Sequence, residues 1–396
     1  MTNEQQVIYL DHNATTPLDP RVLEAMMPYF THDFANANST HLFGVNALDA
    51  VKKSRKEVAE LIGCDSNEII FTSGSTESIN IAIRGVAEIY KWKGKHIITA
   101  KTEHPAVLDT CKFLESSGFE ITYVDVHPDG LINMIDFKDA LRNDTILVSI
   151  MVVNNETGVL QPIKEISELT HSVEAIFLTD ATQAVGKIPI NVDSLGIDLL
   201  CISGHKFYGP KGIGALFVRQ RGNRIKLSPL VYGGGHERGL RSGTLNVPGI
   251  VGLGSASVFA QKEMEENAIK IHQLRKYVED ELLKIEGTVV NGNIENRIYN
   301  TTNILFKGAD SDAIILGLSK QENEAPLIAV SNGSACTSNS IEPSHVLMAM
   351  GMKEVDAFSC IRFSFGKQNS ISEMDVVIYS IKNVVHHLRS MINWIA

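Results

Sequence analysis

A chain of 396 residues is long enough for two packed cores, and 44% hydrophobic with 21% charged residues is typical of a folded globular protein. The 36 basic and 46 acidic side chains give a formal net charge of −10, which excludes a generally polyanion-binding surface, so we expect no direct nucleic-acid binding. Five cysteines without paired spacing argue against a disulfide framework and favour a reducing compartment. The polar residues 1–6 and the lack of a long apolar run predict a cytoplasmic protein with no membrane contact.

Short apolar runs alternate with helical patterns from about residue 66 to residue 218, which predicts an α/β fold with a mainly parallel sheet flanked by helices. The predicted strands cover residues 68–72, 96–99, 145–153, 175–179 and 199–203. A helical pattern over residues 78–86 follows the first of them.

The second half of the chain has a different pattern. A long helix over residues 258–285 is expected to lead out of the first domain, followed by strands at 303–306 and 328–330 and two helical patterns between 372 and 394. The sequence therefore predicts a large domain over 16–260 and a smaller α+β domain over 1–15 and 261–396. The charged residues 320–324 are predicted to form a loop.

Four polar residues come directly after predicted strands. They are His104, Asn155, Asp180 and Lys206. Because parallel strands end at one edge of a sheet, and ligands bind beyond those carboxyl ends, we expect all four side chains at one site.

The first strand runs into a turn, residues 72–77, that contains a glycine followed by Ser75 and Thr76. Amides at a helix start, together with hydroxyl groups, bind phosphate, although an ordinary helix cap gives the same pattern. The spacing of a nucleotide P-loop is absent.

Lys206 follows a strand and precedes a glycine-rich turn, with Ser203 and His205 beside it. A lysine there can form a Schiff base with an aldehyde cofactor while its neighbours reach a phosphate, although a surface lysine is the alternative. Asp180 ends an apolar strand, where a carboxylate can keep a pyridine nitrogen protonated. Gln183 can hydrogen-bond the ring oxygen if the chain turns helical there.

Three further residues have both a functional and a structural interpretation. His104 can stack on a cofactor ring and shuttle protons, although a single histidine is more often structural. Thr244 follows a glycine-rich loop and can donate to a phosphate. Arg362 can pair with a substrate carboxylate, or it can point outward from a half-buried strand.

Cys336 lies in a polar loop of small residues, 331–340. Cysteines in apolar runs, such as Cys201, behave as small hydrophobic residues. An accessible thiolate in a polar loop can instead attack a sulfur atom and carry it away.

Together these motifs resemble the NifS/IscS-type cysteine desulfurases over nearly the whole chain. The matching segments are YLDHNATTP at 9–17, TSGSTE at 72–77, TEH at 102–104, VNNETG at 153–158, DATQ at 180–183, SGHK at 203–206, the loop 233–243 and GSACTS at 333–338. The resemblance implies a homodimeric fold-type I transferase with pyridoxal 5'-phosphate (PLP) as an internal aldimine on Lys206.

The resemblance also implies the role of each matching residue. The phosphate would be held by Thr76, Ser203, His205, the backbone of Ser75, and Thr244 from the partner subunit. Asp180 would pair with the ring nitrogen, Gln183 with the phenolic oxygen, and Asn155 and Arg362 with the carboxylate of L-cysteine. Cys336 would take the sulfur as a persulfide, His104 would move protons, and alanine would be released.

The sulfur acceptor stays open at this point. Ser75 and Asn332 stand where alanine and serine are frequent in the family, and acceptor proteins in iron–sulfur cluster assembly, tRNA thiolation or DNA phosphorothioation are all candidates. Another class V aminotransferase reaction, a selenocysteine lyase and an inactive scaffold are the alternative functions. Cys336 argues against transamination, which needs no thiol, and no metal site is predicted.

Overall fold

The computed structural model describes residues 7–319, 326–333, 342–392 and 394. These residues form twelve β-strands and twelve α-helices. The strands are β1 (Val7–Tyr9), β2 (Ile69–Thr72), β3 (His96–Ala100), β4 (Glu120–Val124), β5 (Thr145–Ser149), β6 (Ile176–Asp180), β7 (Leu199–Ser203), β8 (Gly214–Val218), β9 (Thr288–Asn291), β10 (Thr301–Phe306), β11 (Leu327–Ala329) and β12 (Cys360–Ser364). The helices are α1 (Pro20–Met26), α2 (Pro28–Thr31), α3 (Leu42–Ile62), α4 (Ser75–Tyr90), α5 (Pro105–Ser116), α6 (Met134–Ala140), α7 (Ile163–Ser172), α8 (Val247–Leu282), α9 (Ser311–Leu318), α10 (His345–Ala349), α11 (Glu354–Ala357) and α12 (Ile371–Met391).

Seven strands form the central sheet, in the order β2-β8-β7-β6-β5-β3-β4. Strand β8 runs antiparallel to β2 and β7, and the other neighbours are parallel. The predicted mainly parallel sheet is therefore confirmed. The strand expected over 145–153 ends at Ser149, and Val153 lies instead in an isolated bridge with Leu160.

The sheet is buried on both faces, which explains why its strands are apolar without alternation. On the central strand β6, Phe177 packs into the cluster that includes Val58 of α3. Its neighbours Ile176 and Leu178 point into the opposite cluster, which includes Ile79 of α4. The sheet is thus held rigidly between helices, so the positions of its strand ends are fixed.

A smaller antiparallel sheet, β12-β10-β9, and a parallel pair, β1-β11, pack around a separate hydrophobic cluster. Helix α8 joins the two parts, because its first half packs in the large-sheet cluster and its second half, with Leu274 and Leu282, in the smaller one. This helix begins at Val247, earlier than the expected start at 258. The missed turns contain Gly252 and Gly254, where a Cβ would lie 2.6 Å from Met26 and 2.5 Å from Glu57.

The C-terminal prediction of two helical patterns between 372 and 394 is wrong, because α12 is one continuous helix. Its N-terminus carries a capping box formed by Ser370 and Glu373. The predicted loop 320–324 lies outside the described residues. Among the residues that the structure describes, every helix is too short or too polar to span a membrane.

Candidate active site

The carboxyl ends of β3, β5, β6 and β7 border one cavity of about 560 Å³. A volume of this order suits a cofactor together with a small substrate. The cavity is lined by the predicted site residues Ser75, Thr76, His104, Asn155, Asp180, Gln183, Ser203, His205, Lys206 and Arg362. The structure therefore brings together ten of the twelve residues that the sequence analysis selected.

The other two residues are not at this cavity. Cys336 lies outside the described residues, although Gly333, three positions before it, lines the cavity. Thr244 is exposed and is not among the lining residues of the single chain.

Helix α4 begins at Ser75, earlier than the expected position 78, so Ser75 and Thr76 lie in its first turn. The residue before the helix, Gly74, provides no side-chain cap. Side chains do cap the residues just before the helix, since Glu77 accepts from the backbone N of Ser73 and the Thr72 hydroxyl accepts from that of Gly74. The amides of Ser75 and Thr76 at the start of α4 lie beyond these caps and are suited to an anion. The turn 72–77 is therefore a cradle for a phosphate at this end of the cavity.

The cradle sits directly against strand β8. A Cβ at Gly214 would lie 2.6 Å from the Cα of Gly74 and 2.4 Å from the carbonyl oxygen of Ile202. Only glycine allows β8 to approach the turn this closely. The shape of the cradle therefore depends on Gly214.

Lys206 ends the 3-10 turn Gly204–Lys206 that follows β7. Its Nζ donates to the carbonyl oxygens of Asn13 at 2.6 Å and Ala14 at 2.8 Å. A surface position is thus ruled out, since the amine points into the cavity and is held by the N-terminal segment. This segment belongs to the family motif at 9–17, although no role was predicted for its residues.

Asp180 ends β6 and is 7% exposed. Its Oδ1 accepts hydrogen bonds from the backbone N of Thr182 at 2.9 Å and from the Thr182 hydroxyl. The Ser75 hydroxyl lies 2.5 Å from the same Thr182 hydroxyl. These contacts fix a carboxylate at the base of the cavity, where a protonated ring nitrogen would find a partner.

Two histidines border the cavity in neutral form. His104 caps α5, and its Nδ1 accepts from the backbone N of Ala106 at 3.1 Å, which leaves the proton of the neutral ring on Nε2. Burial lowers the pKa of His104, while the nearby carboxylate of Asp180 opposes that shift. Burial and then the charge of Lys206 lower the pKa of His205 to about 4.

The amide of Gln183 is held at both ends. Its Nε2 donates to the Asn13 carbonyl oxygen at 2.9 Å, and its Oε1 accepts from Nζ of Lys187 at 2.6 Å. The helical turn expected at Gln183 is present, because the amides of Ala184 and Val185 both donate to the carbonyl oxygen of Ala181. The sequence analysis did not select Lys187, whose position in an apolar stretch was the available signal.

Arg362 lies in the middle of β12 and is only 4% exposed, so the alternative of an outward arginine is wrong. Its Nη2 donates to Asp11 Oδ1 at 2.7 Å and its Nη1 to the carbonyl oxygen of Asn155 at 3.1 Å. The buried Nε has no hydrogen-bond partner in the described part of the chain. A buried guanidinium with a spare donor at a cavity wall is suited to a carboxylate ligand.

Comparison with known proteins agrees with this geometry. The family model "Aminotransferase class-V" matches residues 8–377. Proteins named "Cysteine desulfurase IscS" from Mannheimia succiniciproducens and Anaeromyxobacter dehalogenans are 50% and 48% identical, each aligned over 97% of this chain and 94% of its own length.

Solved structures are similar over the same span. One titled "NIFS-LIKE PROTEIN" has a TM-score of 0.88 and 36% identity, with 96% of this chain and 99% of that chain covered. DndA from Streptomyces lividans has a TM-score of 0.76 and 37% identity, covering 90% of this chain and 99% of its own.

The fold and the cavity are those of a fold-type I PLP enzyme, and the chain belongs to the class-V aminotransferase family. Within that family it is a cysteine desulfurase, an enzyme that takes sulfur from L-cysteine and delivers it to acceptor proteins. The observed groups fit PLP, because an uncapped helix start, a buried carboxylate and an inward-pointing lysine line one cavity.

We predict that Gly214→Ala weakens PLP binding. The added methyl group must push β8 away from Gly74, which costs about 1–3 kcal/mol. Because this displacement distorts the cradle, the dissociation constant for PLP should rise by about tenfold. Fluorescence titration of the cofactor-free protein with PLP measures this.

The control for this prediction is Gly222→Ala, at a glycine where an added Cβ would meet no atom within 4 Å. The positive φ of Gly222 makes alanine strained there, but Gly222 lies in the turn after β8, away from the cradle, so the variant should bind PLP like wild type. Equal affinities for all three proteins would contradict the close-approach argument.

Proposed function

We propose that Cys336 is the sulfur acceptor of this desulfurase and that Lys206 carries the cofactor. The thiolate of Cys336 attacks the sulfur atom of L-cysteine, an S–S bond forms, and the C–S bond breaks with its electron pair leaving on carbon. Protonation of that carbon skeleton yields alanine, and the persulfide is passed to an acceptor protein. The convergence of Lys206, Asp180 and His104 in one cavity is the observation that supports this assignment.

PLP would be held covalently by Lys206, and it supplies an electron sink for the substrate's α-carbon when bound. Its phosphate would lie at the start of α4, against Thr76, Ser203, His205 and the backbone of Ser75. Asp180 would pair with the ring nitrogen, and Gln183 would donate to the phenolic oxygen. The lowered pKa of His205 is compatible with this placement, because even a neutral imidazole has one N–H to donate to the phosphate.

The substrate carboxylate would bind at Arg362 and Asn155, which meet at one wall of the cavity. Arg362 is already oriented by Asp11, so its guanidinium is held in place before substrate arrives. This orientation favours an amino acid over an amine without a carboxylate.

Two groups would move protons. Lys206 is the base for the α-proton, because its Nζ is the amine at the cavity floor. His104 would return protons through Nε2, the nitrogen that its capping bond leaves free of the backbone.

We predict that wild-type protein makes alanine and reducible sulfur in equal amounts, and that Cys336→Ser and Lys206→Ala make neither. The first lacks the nucleophile, and the second lacks both the cofactor link and the base. Alanine by chromatography and sulfide after reductant treatment measure the two products.

Cys64→Ser is the matched control, since burial raises the pKa of that thiol and it should leave both products unchanged. Wild-type alanine formation by Cys336→Ser would show that the thiol does not accept the sulfur, and a lyase or transaminase reaction would then replace this proposal.

We further propose a homodimer in which Thr244 reaches the partner's phosphate site. Two observations support this proposal: Thr244 is exposed, and it does not line the cavity of its own chain. It lies on the segment that follows the glycine-rich loop 233–243. That loop is anchored by Glu237, whose buried carboxylate accepts from Arg55 at 2.5 Å and from the backbone N of Phe71 at 2.7 Å. The anchor holds the loop beside strand β2, next to the cradle.

Thr244→Ala should therefore lower PLP affinity by about five- to tenfold, the contribution of one hydrogen bond to a phosphate. Ser172→Ala removes an exposed hydroxyl at the opposite end of the sheet, before β6, and should have no effect. Light scattering should give the mass of two chains. A monomer, or wild-type affinity in Thr244→Ala, would contradict the shared site.

The remaining assignments are also proposals. The separate hydrophobic clusters support a large domain over 16–260 and a small domain over 1–15 and 261–396, with the boundary inside α8. The described cysteines Cys64, Cys111, Cys201 and Cys360 are free thiols, which is compatible with a reducing cytoplasm. As acceptors we propose proteins of iron–sulfur cluster assembly, with tRNA thiolation and DNA phosphorothioation as further routes.

A further inference from the structure

Lys187 is a buried lysine that the roles assigned above do not use. It lies in the turn after β6 and is 7% exposed. Its Nζ donates to Gln183 Oε1 at 2.6 Å, and no ion pair in the described part of the chain includes it. Burial of an ammonium group without a carboxylate is costly, so its presence needs a reason beyond stability.

The surroundings of Lys187 are mainly cationic. Burial, and then the charges of Lys206 and Arg362, lower the pKa of Lys187 to about 7. His12 lines the same small internal cavity as Lys187 and Lys206, and burial lowers the pKa of His12 to about 4, so it is neutral.

Two carboxylates, Asp19 and Glu263, also border that cavity, but both are already paired. Lys367 lies 2.6 Å from Asp19 and 3.2 Å from Glu263, and Arg21 bridges the same two carboxylates. Lys187 is therefore not neutralised from this side.

The contact with Gln183 has a geometric consequence. An amide oxygen only accepts hydrogen bonds and an amide nitrogen only donates them, so the donor of Lys187 and the acceptor of Asn13 together fix the orientation of the Gln183 amide. One N–H of Nε2 goes to the Asn13 carbonyl oxygen, which leaves the second N–H for the cavity that Gln183 lines. Lys187 imposes this orientation in both of its protonation states, because a neutral amine still donates.

We propose that Lys187 is a positioning residue that fixes the Gln183 amide with its N–H toward the phenolic oxygen of the cofactor. The inference rests on the proposed placement of PLP at Lys206 and Gln183. A donor at the phenolic oxygen stabilises its anionic form, and the phenolic oxygen then holds the proton of the cofactor–lysine link less strongly. With Lys187 present, the link therefore loses its proton at lower pH.

The test is a pH titration of the visible absorbance of the holoenzyme without substrate. In Lys187→Met the midpoint should rise by about one pH unit, which corresponds to the loss of one hydrogen bond to a charged group. Lys187→Leu, which also lacks a donor to Gln183, should show the same rise and replaces the methionine variant if that one does not fold. An unchanged midpoint in the variant that folds would overturn the proposal.

Lys93→Met is the matched control. Burial also lowers the pKa of Lys93, and its Nζ donates to the carbonyl oxygens of Val173 and Glu174 and not to the cavity. Its midpoint should equal that of wild type. An equal rise in Lys93→Met would show that the shift reflects loss of any lysine with a lowered pKa.

A double variant isolates the route through Gln183. If Lys187 acts by orienting that amide, Lys187→Met added to Gln183→Leu should leave the midpoint of Gln183→Leu unchanged. Additive shifts would overturn the positioning role. A wild-type protein whose visible absorbance is absent or independent of pH would contradict the cofactor placement itself, which separates failure of that placement from failure of the role of Lys187.

Discussion

The hydrogen bonds of Asn13 connect the parts of the active site to one another. Its carbonyl oxygen accepts from Lys206 Nζ and from Gln183 Nε2, while its side-chain Nδ2 donates to the Asn155 carbonyl oxygen and to Thr301 Oγ1. One residue thereby joins the edge of the large sheet to strand β10 of the smaller one. Displacement of this residue would move Lys206, Gln183 and the proposed carboxylate-binding wall together.

Positively charged side chains cluster near the cavity, although the net charge of the whole chain is negative. The formal net charge of the chain is −10. Three cationic side chains nevertheless lie close together here, because the charges of Lys206 and Arg362 both lower the pKa of Lys187. A buried concentration of positive charge is unfavourable unless anions enter it. The phosphate of PLP and the carboxylate of an amino acid are such anions, and in the proposed placement they would add negative charge beside these groups.

Much of the site could be predicted because it follows one rule of the fold. Asp180 and Lys206 each follow a parallel strand, and the central sheet places the ends of those strands at one edge. The rule gives no information on residues that arrive from elsewhere in the chain. Asn13 holds Lys206 and Gln183 through its backbone carbonyl, which leaves little trace in residue type, and Lys187 reaches the site through a turn.

The error in the predicted start of helix α8 has a similar physical origin. The first turns of α8 are rich in glycine, and they form a helix because close packing against α1 and α3 compensates for poor helix propensity. Sequence periodicity does not report such tertiary contacts.

The most direct test of the account is to locate the lysine that carries PLP. Borohydride reduction of the holoenzyme makes the link permanent, and peptide mass spectrometry then identifies the modified residue. We expect the cofactor on Lys206 alone, with no label in Lys206→Ala. Lys211 also lines the cavity. A label on Lys187 or Lys211, or a modified lysine remote from the cavity, would contradict the proposed site.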